Sequence, residues 1–162
     1  MQVATRAKKS ISFGSSGLLL TYHAGVALEL LNAGQQFERV LGTSGGALIG
    51  ALFCVAPDSL PRAVKYMTGR RWAEGLTWGD IWDPAERLVP EYFGRLDVLP
   101  ENAHELASGR LRVFCTRCRD KKCVAFDHWA SREDLLRTLQ ASCSFAWDGV
   151  EISGEKYSGM FL

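Results

Sequence analysis

The residues in this chain best suited to chemistry are Gly42-Thr43-Ser44-Gly45-Gly46. Gly-x-Ser-x-Gly between a strand and a helix is the pattern of a nucleophile elbow, a turn so cramped that a bulky residue two places to either side would clash. Gly42 and Gly46 meet that requirement, and Gly45 relaxes it further. Such a turn lifts the Ser44 hydroxyl onto a helix N-terminus, where free N–H groups and the positive end of the helix dipole favour an oxyanion. A plain glycine–serine turn fits the same five residues, so context matters. Phe37 to Leu41 reads as a short strand, and Ala47 to Val55 is apolar almost all round, as a buried helix is.

A second small-residue loop, Gly14-Ser15-Ser16-Gly17, follows the short apolar stretch Ile11 to Phe13. A loop of this kind after a strand can aim backbone N–H groups at a developing negative charge, and losing one such donor typically costs ~3 kcal/mol of barrier. A phosphate loop or an ordinary turn are the other readings. The Gly-Lys-Ser/Thr ending of a Walker loop is absent, which excludes that class.

The elements that would carry these loops alternate. Leu18 to Asn32 has apolar residues at helical spacing (Tyr22, Val26, Leu28, Leu31), with Gly34 as its stop. After Pro57, Asp58 or Ser59 can cap a helix that has Pro61 in its first turn and runs to about Arg71. The Trp72, Trp78 and Trp82 stretch reads as irregular, Pro84 to Leu96 as weakly helical, and Leu99-Pro100 as the start of a short helical segment. Leu111 to Thr116 and Cys123 to His128 read as a hairpin closed at Asp120-Lys121-Lys122. Ser131 and Asp134 have capping-box spacing for a helix ending near Ser142, and Glu155 to Tyr157 suits a last strand. Strand and helix alternation in the N-terminal half predicts an α/β fold with parallel strands covered by helices.

Composition narrows the function classes. With 162 residues, 47% of them hydrophobic, the chain suits one domain with a core of its own. A net charge of +1, with basic clusters of only two residues such as Lys8-Lys9, Arg70-Arg71 and Lys121-Lys122, argues against nucleic acid as a partner. Met1 to Ser10 has no apolar stretch of a secretory leader, and the five cysteines are an odd number, so the thiols are expected to be reduced and the compartment intracellular, cytoplasmic. No apolar run reaches the ~20 residues of a membrane span, so any membrane contact would be peripheral.

With both loops placed, the chain resembles the patatin-like phospholipase family, and within it the animal branch of adipose triglyceride lipase and adiponutrin. The likeness rests on Ile11 to Leu19, Tyr22-His23-Ala24-Gly25-Val26, Gly42 to Leu48 and the run Leu99 to Leu111, and it extends from about Ser10 to Tyr157. The resemblance implies a three-layer α/β/α sandwich with a mainly parallel sheet, formed by one domain over residues 1–162. Because the chain stops near the family's Asp-Gly region, a C-terminally truncated form is part of that expectation. It also implies a Ser–Asp dyad without histidine, no metal or cofactor, and hydrolysis or transacylation of glycerolipid esters at a membrane or lipid-droplet surface. Ser44 takes the nucleophile position, Gly42 and Gly46 flank the elbow, and Gly14, Ser15, Ser16 and Gly17 take the oxyanion-hole position.

Two departures stand out. Ser15 and Ser16 occupy a loop that is richer in glycine in the family. Ser158, followed by Gly159, stands where the family's base Asp is expected, and a neutral hydroxyl cannot take a proton as a carboxylate can. Asp148-Gly149, about ten residues earlier, is either a displaced base or a turn. Two readings follow: an acyl hydrolase, or a catalytically impaired fold that binds lipid or a partner.

Three other sets have structural readings beside the functional one. Cys115, Cys118, Cys123 and His128 have zinc-knuckle-like spacing, but on a hairpin Cys115 and Cys118 point to opposite faces. His23 suits a structural role or the pocket wall, and His104 with Glu105 suits ordering of the linker. Trp72, Trp78, Trp82, Tyr92 and Phe93 suit either a lipid-facing edge or the core.

Overall fold

Two strand–helix units open the fold. Strand β1 (Ser10–Phe13) leads through a 3-10 turn, Gly17–Leu19, into helix α1 (Leu20–Asn32). Strand β2 (Arg39–Thr43) leads through Ser44 into helix α2 (Gly45–Val55). After a second 3-10 turn, Pro57–Ser59, comes α3 (Leu60–Met67), then α4 (Ala103–Ala107), β3 (Leu111–Arg117), β4 (Cys123–Phe126), α5 (Arg132–Cys143), β5 (Val150–Ile152) and β6 (Glu155–Ser158). The computed structural model describes residues 9–69, 89, 93, 98–145 and 149–159.

The strands form one mixed sheet flanked by helices, an α/β sandwich, in the order β1-β2-β3-β6-β5 with β4 beside β3. Strands β1, β2 and β3 are parallel, and β4, β5 and β6 add antiparallel pairings beyond them. The register shows how β3 is used. Val113 and Phe114 pair with both β2 and β4, so those strands lie on opposite edges. Thr116 pairs with both Cys123 and Ser158, so β6 lies opposite β4, on the edge used by β2. Strands β2 and β6 therefore approach each other end to end along β3.

Helix α2 is the centre of the core, with all 11 residues buried. Ile49 and Leu52 pack with Val40, Leu111, Val113, Leu135 and Leu139, each withdrawn from water. No single described helix is long and apolar enough to cross a membrane.

Several local expectations shift. Strand β2 starts at Arg39 rather than Phe37, because parallel pairing sets Ser10 against Arg39 and Phe13 against Gly42. Helix α1 is present, but Tyr22 is 72% exposed and Val26 lies at the surface, while Leu20, Ala24 and Ala27 face inward. The helix approaches the glycine-rich start of α2 closely, Leu20 lying against Gly45, and small residues suit that contact better than the large ones. Helix α3 ends at Met67, and Ser59 sits at its N-cap without a side-chain bond. Arg71 and the tryptophans 72, 78 and 82 lie outside the described residues, as does Tyr92; of Pro84 to Leu96, Val89 and Phe93 are described, and both are buried. Strand β5 has no counterpart in the sequence reading, although Ser153-Gly154, at φ 51° and 80°, is a two-residue turn that signals a hairpin.

Helix α5 begins as its capping pattern predicts. The Ser131 hydroxyl accepts from the Asp134 N–H at 3.1 Å, and Glu133 and Asp134 place negative charge in the first turn. Ser131→Ala is expected to destabilise the fold by about 1 kcal/mol, read as a fall of roughly 2–4 °C in the thermal midpoint; an unchanged midpoint would show that the cap contributes nothing.

Candidate active site

Ser44 stands between the end of β2 and the first turn of α2 with φ 54° and ψ −130°. A positive φ is rare for a residue with a Cβ, and holding one there costs about 1–3 kcal/mol that the surroundings must supply. The glycines explain how. A Cβ at Gly42 would lie 2.5 Å from Ala47 Cα, and one at Gly46 would run into the carbonyl oxygens of Phe13 and Gly14. The end of β1, the end of β2 and the first turn of α2 thus meet backbone to backbone. The Ser44 carbonyl accepts from Ala47 N–H at 2.8 Å, which starts the helix and leaves its first N–H groups without intrahelical partners.

The Gly14–Gly17 loop wraps this first turn. Gly17 has φ 51°, a conformation that favours glycine. The Ser16 side chain reaches Gly45, where an added Cβ would be 2.7 Å from Ser16 Oγ, and that oxygen is buried with no hydrogen-bond partner. Ser15 is exposed. His23 faces back from α1, its Nε2 donating to the Gly14 carbonyl at 3.1 Å while its ring meets Phe13 edge-on. Its contacts are those of a residue that orders the loop.

Two side chains meet at Ser44, which is 5% exposed. Its N–H donates to Ser142 Oγ at 2.9 Å. Its side chain lies against the Cys143 thiol, which burial pushes up to about 12, with the Ser44 contact opposing the rise, so the sulfur stays protonated at neutral pH and is no base. The end of β6 lies further along the same edge of β3. Ser158 is buried opposite Thr116, one step along β3 from the level of Ser44, and the Gly159 N–H donates to the Ser144 carbonyl at 2.7 Å. Sequence reasoning brought Ser44 and Ser158 forward but missed Ser142 and Cys143. Nothing in the local pattern of a helix end singles them out; only the sheet register brings them to Ser44.

The carboxylates with shifted acidity lie elsewhere. Hydrogen bonds from Arg117 hold Asp120 at about 2, and His128 and then Arg112 lower Asp127. Both sit at or next to the β3–β4 hairpin in ion pairs. Asp148 lies outside the described residues. The zinc-like set does not converge: Cys115 Sγ points to the Thr138 carbonyl under α5, Cys123 projects from the opposite face, and His128 pairs with Asp127. Among the described residues no group of His, Cys, Asp and Glu gathers at metal distance. His104 Nε2 lies 4.0 Å from Glu105, too far for a hydrogen bond, and the His104 carbonyl accepts from the Ser108 hydroxyl. Phe93, fully buried, belongs to the core.

Comparison with known sequences gives this arrangement its family. The patatin-like phospholipase family matches residues 11–157, which include both loops, Ser44 and β6 through Tyr157. The chain belongs to the patatin-like phospholipase family. Among its relatives, human patatin-like phospholipase domain-containing protein 4 is 28% identical over 82% of this chain and 54% of its own length. Mouse omega-hydroxyceramide transacylase is 32% identical over 83% of the chain and 23% of its length. Human patatin-like phospholipase domain-containing protein 2 is 30% identical over 79% and 26%. The chain thus spans about half the length, or less, of these relatives. Within this patatin-like domain the backbone junction at Gly46 is the most demanding feature of the site. Gly46→Ala is expected to cost about 2–3 kcal/mol or to prevent folding, whereas Gly25→Ala, with open space around it on α1, should leave stability unchanged or raise it by up to ~1 kcal/mol. Urea midpoints of the two variants compare them, and equal midpoints would contradict the packing described.

Proposed function

We propose that this chain is a serine acyl hydrolase or acyltransferase acting on glycerolipid esters, with Ser44 as its nucleophile. The observation that carries the reading is the backbone of Ser44, held at φ 54° between a strand and a helix with glycine two places to either side. The reaction needs no metal or cofactor. Ser44 Oγ attacks the acyl carbonyl carbon and gives up its proton, the carbonyl oxygen takes negative charge, and the ester C–O bond breaks as the alcohol leaves protonated. Water or a second alcohol then takes the acyl group and frees Ser44.

The oxyanion would be met by N–H groups from the first turn of α2, Gly45 and Gly46, and from the loop Gly14, Ser15, Ser16 and Gly17. The N–H of Ser44 itself is committed to Ser142. We read residues 1–162 as one patatin-like domain, cytoplasmic and in peripheral contact with a lipid droplet or membrane, since its substrates would reside there. The names of the relatives, a transacylase among them, support both hydrolysis and transfer.

Ser158 favours a second reading. The groups meeting Ser44 among the described residues are a hydroxyl and a protonated thiol, and Ser158 stands where the family resemblance puts an Asp. In this reading the elbow persists without its base, and the domain binds lipid or a partner. Asp148 is the alternative source of a carboxylate.

A fluorophosphonate probe separates the two. In the first reading the wild-type chain labels and Ser44→Ala abolishes labelling; a folded wild-type chain that stays unlabelled at high probe sinks the hydrolase reading. In the second, Ser158→Asp is expected to raise turnover of a short-chain ester by about 100-fold. No gain in a folded variant would reject position 158 as the seat of the base.

A further inference from the structure

We propose that Ser142, in the last turn of α5, is a positioning residue for Ser44, its hydroxyl standing in for a strand-to-strand hydrogen bond where β2 and β6 meet end to end. Its functional meaning rests on Ser44 being the nucleophile; the bridge itself rests on geometry alone. On the shared edge of β3, β2 ends with Thr43 paired to Phe114, and β6 ends with Ser158 paired to Thr116. Cys115, between them, has no partner on that edge. At Ser44 the backbone turns to positive φ and cannot continue the ladder.

The turn leaves an N–H on Ser44 and a carbonyl on Phe114 with no strand to pair them. Ser142 Oγ accepts from the first at 2.9 Å and donates to the second at 2.7 Å. A serine near a helix end commonly bonds back to a carbonyl of its own preceding turn. This one reaches 28 residues away to β3 instead, with its side chain fully buried. The end of α5 is pinned where the bridge needs it. Gly159 packs so closely on the Ser142 carbonyl that a Cβ there would collide with it, and the Gly159 N–H bonds to Ser144. By holding the Thr43–Ser44 peptide plane, the bridge holds the φ of Ser44 and so the aim of its hydroxyl. It also removes the Ser44 N–H from any anion-binding role.

Amide exchange of the isotopically labelled full chain tests the bridge. The Ser44 amide of the wild type is expected to be strongly protected. Ser142→Ala should speed its exchange by about tenfold or more, leave Ala51 and Leu52 in the middle of α2 unchanged, and slow fluorophosphonate labelling by a similar factor. Ser142→Thr, which keeps the hydroxyl, should return both readouts toward wild type. An unprotected Ser44 amide in the wild type overturns the bridge even if Ser142→Ala does not fold. Wild-type exchange and labelling in a folded Ser142→Ala overturns it as well and leaves the hydrolase reading standing. A protected Ser44 amide in a wild-type chain that never labels supports the bridge and sinks the hydrolase reading, so the two failures are distinguishable.

Discussion

The first turn of α2 lies so close to the ends of β1 and β2 that no side chain fits between their backbones. Gly42 and Gly46 are the residues at that contact. The rest of the site depends on it. The approach carries the chain through positive φ at Ser44, brings Ser16 and Gly17 of the loop against Gly45, and draws α1 in on its small residues. A single steric condition thus fixes the serine's conformation, the placement of the neighbouring loop and the inward face of a helix.

Among the described residues the ion pairs with shifted acidity lie away from this junction. Within reach of Ser44 lie hydroxyls, a protonated thiol and backbone dipoles, while the ion pairs of Arg117 with Asp120 and of Arg112 with Asp127 sit at the hairpin side of the sheet. Burial also pushes the Cys115 thiol up, so it too stays protonated at physiological pH. Among such groups a negative charge gains most from oriented N–H dipoles.

Much of this was legible in the residues because local rules govern it. Glycine spacing marked the turn at Ser44, the serine–acid spacing marked the start of α5, and Asp120 to Lys122 marked the hairpin. What escaped depends on register or on neighbours. The inward face of α1 is set by how closely α2 approaches, so Tyr22 and Val26, apolar and at helical spacing, are outside while Ala24 and Ala27 are inside. Strand β5 is only three residues long, too short for an alternation pattern. Ser142 gains its meaning from the point along β3 at which two other strands stop, and no window of sequence around it holds that information.

The end-to-end meeting of β2 and β6 divides the site by chain distance. The elbow and its loop come from residues 14–46, a compact stretch whose contacts form locally. The opposite side is delivered by α5, whose Ser142 is 98 residues from Ser44, and by the short β5–β6 hairpin, held through the pairing of Thr116 and Arg117 with Ser158 and Tyr157. Closing such a loop costs chain entropy that only long-range pairing and the burial of α5 repay. Selection can therefore alter residue 158 with little effect on the elbow. One half of the site can thus change its side chains while the other keeps the strained pose of Ser44, so the two halves of one fold are free to vary separately.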